Sequence, residues 1–195
     1  MSKSKILMLV GALLLSSLFI LPLWNITLEA PQYPDPIGMN IHINKIADMN
    51  PNDVKNINIM NHYVGMKDIP EKLPEFDIFP PVVLAMLVLG LIIGWKLNYK
   101  WYLVWFVAMC LLGAAGMYDF YLWEYDYGHN LKQTAAIQFT TEDGEPMAYQ
   151  PPLLGTKVIL NFVAHSYPRS GAYLLFTGML LSVIAFFVGK KEHKV

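Results

Sequence analysis

Four charge-free apolar runs punctuate this chain, separated by longer stretches in which polar and apolar residues mix. The runs are Ile6 to Trp24, Ile78 to Trp95, Trp101 to Tyr118 and Gly171 to Gly189, and none holds Asp, Glu, Lys, Arg or His. At 1.5 Å per residue each gives about 28 Å of helix, the thickness of a bilayer's hydrocarbon core. The pattern predicts a mainly α membrane protein with four transmembrane helices, 6–24, 78–95, 101–118 and 171–189. A short turn, 96–100, and a tail, 190–195, lie on one side, and two long loops, 25–77 and 119–170, lie on the other. Trp24, Trp95, Trp101, Tyr118 and Tyr173 stand where amphipathic rings favour the interface. Pro80 and Pro81 suit the opening turn of the second helix, where a missing N–H costs little.

The two long loops carry shorter periods. Ile37, Met39, Ile41 and Ile43 alternate with Gly38, Asn40, His42 and Asn44, the period of a half-buried strand that points Met39 and His42 to opposite faces. After Pro51 the spacing of Val54, Ile57, Met60 or Asn61 and Val64 fits a short helix, while Ile57, Ile59 and Asn61 fit a strand equally well. In the second loop, Ile137 to Thr141, the EDGE turn at Glu142 to Glu145 and Met147 to Tyr149 suggest a hairpin. Lys157 to Ala164 is too short to span and should lie at the interface or pair with the outer strands. Neither loop has enough apolar residues for a core of its own. Ile37, Ile41, Ile57, Ile59, Ile137, Phe139, Ile159 and Phe162 together could supply one, so a single mixed α/β extracytoplasmic cap is expected.

Charge sets the orientation. Lys3, Lys5, Lys96, Lys100, Lys190, Lys191 and Lys194 flank the short segments, which places these ends in the cytoplasm. Of the 15 acidic residues all but Glu192 then fall outside. The expected location is the cytoplasmic membrane, with both termini inside and the long loops in the periplasm. Lys3 and Lys5 ahead of an apolar run also resemble a signal peptide, but no small-x-small cleavage site precedes Pro31, so an uncleaved anchor is preferred. Composition agrees with a bilayer partner: 55% of the residues are hydrophobic, 15% are charged and the mean hydropathy is +0.38. A net charge of −1 offers no basic face for nucleic acid.

Candidate chemistry is confined to the loops. Without an ionisable residue in the spans, an ion pump or a haem held by intramembrane histidines is unsupported. The single cysteine, Cys110, excludes an intrachain disulfide and multi-cysteine metal sites. The segment MNHYVGM puts His62 beside Met60 on a strand, or beside Met66 on a helix. Imidazole with thioether suits Cu(I) better than zinc or magnesium. Core packing of Met60 with a hydrogen-bonded His62 is the competing reading. The stretch YDFYLWEYDYGHNL, Tyr118 to Leu131, is either an outer aromatic belt or the carrier of a ligand, His129, oriented by Asp126 or Glu124. His165 is a weaker ligand candidate. No glycine pattern of a nucleophile elbow surrounds Ser166 or Ser170.

The strings DPIGMNIHIN, NINIMNHYVGMKDIPEKLPEF, YDFYLWEYDYGHNL, YQPPLLGTKVILNF and AHSYP resemble a family of small four-helix membrane proteins of Bacteroidota and related bacteria. That family is associated with gene clusters for nitrous oxide reductase and its copper-assembly proteins. The resemblance runs from about Asp35 to Pro168 and implies copper, since the reductase is a periplasmic copper enzyme. His62, Met60, Met66, Met39, His42, His129 and Asp126 are the residues this chain supplies for a metal. The expected function is therefore a membrane-anchored copper-binding accessory protein with a periplasmic or membrane protein partner. A non-catalytic scaffold without metal is the alternative, and a metal-dependent membrane oxidoreductase on His42, His62, His129 and the carboxylates is a third reading.

Overall fold

A computed structural model describes residues 1–132, 134–137, 140, 144 and 147–193. It divides the chain into a helical bundle and a sheet-built cap, and it corrects the four-span expectation. Three helices are long and apolar enough to cross a membrane: α3 (Glu75–Lys96), α4 (Lys100–His129) and α5 (Ser170–Glu192). The first apolar run instead forms an α-helix of 11 residues, α1 (Lys3–Leu13), then tightens into a 3₁₀ segment, Leu14–Phe19. The run is therefore not one spanning α-helix of 18 residues or more: only eleven residues, about 16 Å, are α-helical, and the rest of its helical part is 3₁₀. At its end the Ser16 and Ser17 hydroxyls donate back to the carbonyls of Leu13 and Leu14 at 2.7 Å, and Pro22 follows before the chain becomes a strand. Trp24, expected at the interface, is the first residue of that strand.

Nor is the protein mainly α. The described residues include a five-stranded antiparallel sheet, order β3-β2-β1-β5-β4, of β1 (Trp24–Glu29), β2 (Ile37–Ile41), β3 (Ile46–Asp48), β4 (Gly155–Ile159) and β5 (Phe162–Pro168). Strands from the two long segments meet in the middle, where β1 pairs with β5 from Trp24 opposite Pro168 to Glu29 opposite Val163. The apolar run Lys157 to Ala164 supplies β4 and the start of β5. The ambiguous segment after Pro51 is a helix, α2 (Asp53–Val64), laid on the sheet. The Asp53 carboxylate holds that helix start, accepting from the backbone N–H groups of Gly38 and Asn50, each at 2.9 Å. The hairpin expected over Ile137 to Tyr149 falls largely outside the described residues.

In the bundle, α1 lies against α5 and α3, burying Met8, Ala12 and Leu15 with Tyr102 and Trp105 of α4. The Trp105 indole donates to the carbonyl of Met86 at 3.0 Å, so its N–H is satisfied in an apolar setting. Gly11 and Gly178 let α1 and α5 touch: a Cβ on Gly11 would come within 2.7 Å of the Gly178 carbonyl oxygen. Gly90 and Gly94 admit Ala12, Leu9 and Met8, whereas Gly113 and Gly116 have open space beside them. Helix α3 begins at Glu75, so Pro80 and Pro81 lie inside it rather than opening it. Glu192 accepts from the Lys3 N–H and the Ser4 hydroxyl. Lys3, Lys96, Lys100 and Lys190 thus gather at the end of the bundle opposite the sheet.

A thioether-lined cavity as candidate functional site

Strand β2 turns Ile37 and Met39 inward, both nearly fully buried, as its alternation predicts. Helix α2 answers with Ile57, Met60, Asn61 and Val64, the i, i+3, i+4, i+7 stripe of a helix on a sheet. At its C-terminus Gly65 adopts φ 80°, a left-handed cap that an L side chain resists. The chain reverses there, and Met66 folds back beneath α2. A Cβ at Gly65 would also meet the backbone of Lys132, whose N–H donates to the Gly65 carbonyl at 2.8 Å.

Helix α4 closes the site. Its 30 residues make about 45 Å, more than a bilayer core requires, and its apolar run ends at Tyr118. The turns beyond stand in the cap and direct Trp123, Glu124 and Tyr127 toward the sheet. The segment around Tyr149 crosses the end of α4 at Gly128, where any Cβ would overlap Gln150, and the Tyr149 N–H donates to the Gly128 carbonyl at 2.9 Å.

Together these elements line a partly open cavity of about 110 Å³, bordered by Met39, Met60, Met66, Glu124 and a shell of aliphatic and aromatic side chains. That is room for several waters or one coordinated ion, since a water's share of the liquid is about 30 Å³. Glu124 is 0% exposed, and neither of its carboxyl oxygens has a hydrogen-bond partner among the described residues. Burial pushes its carboxyl up to about 8, so the neutral acid prevails at pH 7. No lining residue among those described carries a positive charge. Three methionine side chains and one acid without a partner among the described residues thus line an otherwise apolar wall, and the Met60 sulfur accepts from Gln32 Nε2 at 3.4 Å.

The histidines do not enter this site. His62 is exposed on the face of α2 opposite Met60, beside Tyr63, and Gly65 ends the helix before a shared face with Met66 can form. His129, also exposed, stacks on Tyr125 with ring centroids 4.0 Å apart, its Nδ1 3.0 Å from the Tyr125 carbonyl. Asp126 orients no histidine; it pairs with Lys67 Nζ at 2.6 Å and accepts from Asn130, which holds its carboxyl below the usual range. His42 lies in the turn before β3, where partial burial and the Lys45 ammonium lower its pKa. His165 bridges Thr156 and Glu29 across the sheet surface. Among the described residues no three His, Cys, Asp or Glu side chains gather as a metal group, so an oxidoreductase centre on His42, His62 and His129 has no geometric basis.

Met39, Met60 and Met66, proposed from the sequence, are brought together, whereas His62, His42, His129 and Asp126 are not. Sequence patterning gives Glu124 only a place in the belt or a part in orienting His129. Its signal lies in the helical period, since Phe120, Trp123, Glu124 and Tyr127 share one face of α4 once the helix is continued past Tyr118. Fold and site define a sheet-capped bundle, with three helices long and apolar enough to cross a membrane and a cavity lined by thioethers and a carboxyl in its cap. Comparison with known protein families, curated proteins and solved structures returns no match, so function rests on this chain's own residues.

Proposed function

We propose that this protein is a membrane-anchored copper-binding accessory protein whose cap holds Cu(I) for a copper enzyme at the periplasmic face. The observation that carries the reading is that Met39 of β2, Met60 of α2 and Met66 just past its end line one cavity. A thioether needs no deprotonation to bind, and an unbranched methionine adjusts its sulfur position at little cost. The sheet end is taken as periplasmic and the Lys-rich end as cytoplasmic, following the positive-inside bias. The recipient proposed is a nitrous oxide reductase.

Copper analysis of detergent-purified protein, loaded with Cu(I) under reducing conditions, tests this. Wild type should retain about one ion per chain. A Met39→Leu, Met60→Leu, Met66→Leu variant, close to volume-conserving, should fold and retain none. A His62→Ala variant should load like wild type. Equal copper in the triple variant and wild type would reject the reading. A scaffold that docks partners through the exposed Tyr121, Tyr125 and His129 ladder would then take its place.

A further inference from the structure

From the burial of Glu124 we infer that it is the anionic donor of the thioether cavity and makes the site selective for a soft monovalent cation over any divalent one. This rests on the cavity being the metal site and names the ion class it takes.

Charge balance carries the argument. Among the described residues, Glu124 is the one acidic side chain lining the cavity, its two oxygens have no partner, and Trp123, whose indole N–H also has none, stands next to it in the wall. Tyr127 and Tyr149 are the other ionisable groups there, and the Tyr127 hydroxyl is committed, donating to the Asp68 carbonyl at 2.9 Å. One carboxylate with one monovalent cation is neutral, a form that an apolar wall tolerates. A divalent ion would leave a net positive charge buried without compensation, and such a charge is heavily penalised in a low-dielectric interior. Softness supplies the second filter: sodium and potassium gain little from sulfur, whereas Cu(I) and Ag(I) gain much. As the ion binds, its bond to the carboxylate oxygen replaces the O–H bond, the proton leaves to solvent, and copper stays Cu(I).

The inference also accounts for an acid at this position. A binding cavity for a neutral apolar molecule would be better lined by Leu or Met, because a carboxyl without partners destabilises the empty fold. Here the destabilising group is retained in a wall that Met39, Met60 and Met66 also line.

Competition with a colorimetric Cu(I) chelator should show affinity reduced by about tenfold or more in Glu124→Gln, which keeps the shape and removes the charge. In wild type, Ag(I) should displace Cu(I), while Zn(II) at the same concentration should not. Unchanged Cu(I) affinity in Glu124→Gln, or displacement by Zn(II), would overturn the inference. If the triple methionine variant has lost copper in the same experiment, the proposed function survives that failure. Copper retained by the triple variant instead removes the site itself. The Zn(II) arm uses only wild-type protein and so does not depend on the folding of any variant.

Discussion

Lys67 Nζ lies 2.6 Å from Asp126 Oδ2, joining the segment that follows α2 to the last turn of α4. Both side chains are more than a third exposed, so water and salt screen the pair and its worth is about 1 kcal/mol or less. The Asp126 carboxyl is held low first by its hydrogen bond to Lys67 and then by that to Asn130. Its contribution is therefore present above the unfolded carboxyl range and is lost as pH falls through the folded one. Asp126→Asn should lower stability slightly, less so in high salt, and leave Cu(I) loading unchanged. Loss of copper in this variant would return Asp126 to the site.

Glu124 titrates in the opposite sense. Its folded value, about 8, is raised from 4.5, so the fold favours the neutral acid. Stability of the cap should be greatest below about pH 4.5 as far as this group is concerned, decline between there and pH 8, and level off above. The loss is of the order of a few kcal/mol. Denaturant midpoints across that range, compared with Glu124→Gln, should show the slope in wild type and its absence in the variant. Parallel pH profiles for the two would refute the assignment.

Gly128 is where the second long segment crosses α4. Gly128→Ala should push Gln150 away, break the hydrogen bond from the Tyr149 N–H and loosen the cavity wall. A stability loss of about 1–3 kcal/mol is expected for an overpacked contact that backbone must relieve. Thermal unfolding followed by tryptophan fluorescence, with Trp123 beside the cavity, would measure it.

The orientation is open to cysteine labelling after Cys110→Ala. A cysteine at Asn52, in the cap, should react with a membrane-impermeant reagent from the periplasm, and one at Lys100 only from the cytoplasm. The reverse pattern would invert the protein and place the cavity on the wrong side for a periplasmic recipient.

What the sequence determined by itself is what depends on composition over a local window. The apolar runs underlying α3, α4 and α5 are legible because 18 consecutive uncharged residues have few other uses, and the lysine asymmetry and the inward Met39 on β2 are likewise local patterns. The tertiary structure decided the rest. Ile6 to Trp24 reads like its neighbours in hydropathy, yet the Ser16 and Ser17 hydroxyls tighten its end and β1 takes its last residue, because β5, more than a hundred residues away, offers a ladder. Glu124 and Tyr125 are neighbours in one aromatic stretch, but only the packing of α4 against the sheet buries the acid and leaves the tyrosine outside with His129. His62 lies within the Met60 to Met66 motif, yet the rotation of α2 and the left-handed Gly65 send it to solvent while both methionines turn in. Which neighbours in sequence become neighbours in a site is settled by burial on one face of an element, and that face exists only once its partner from a distant segment is in place.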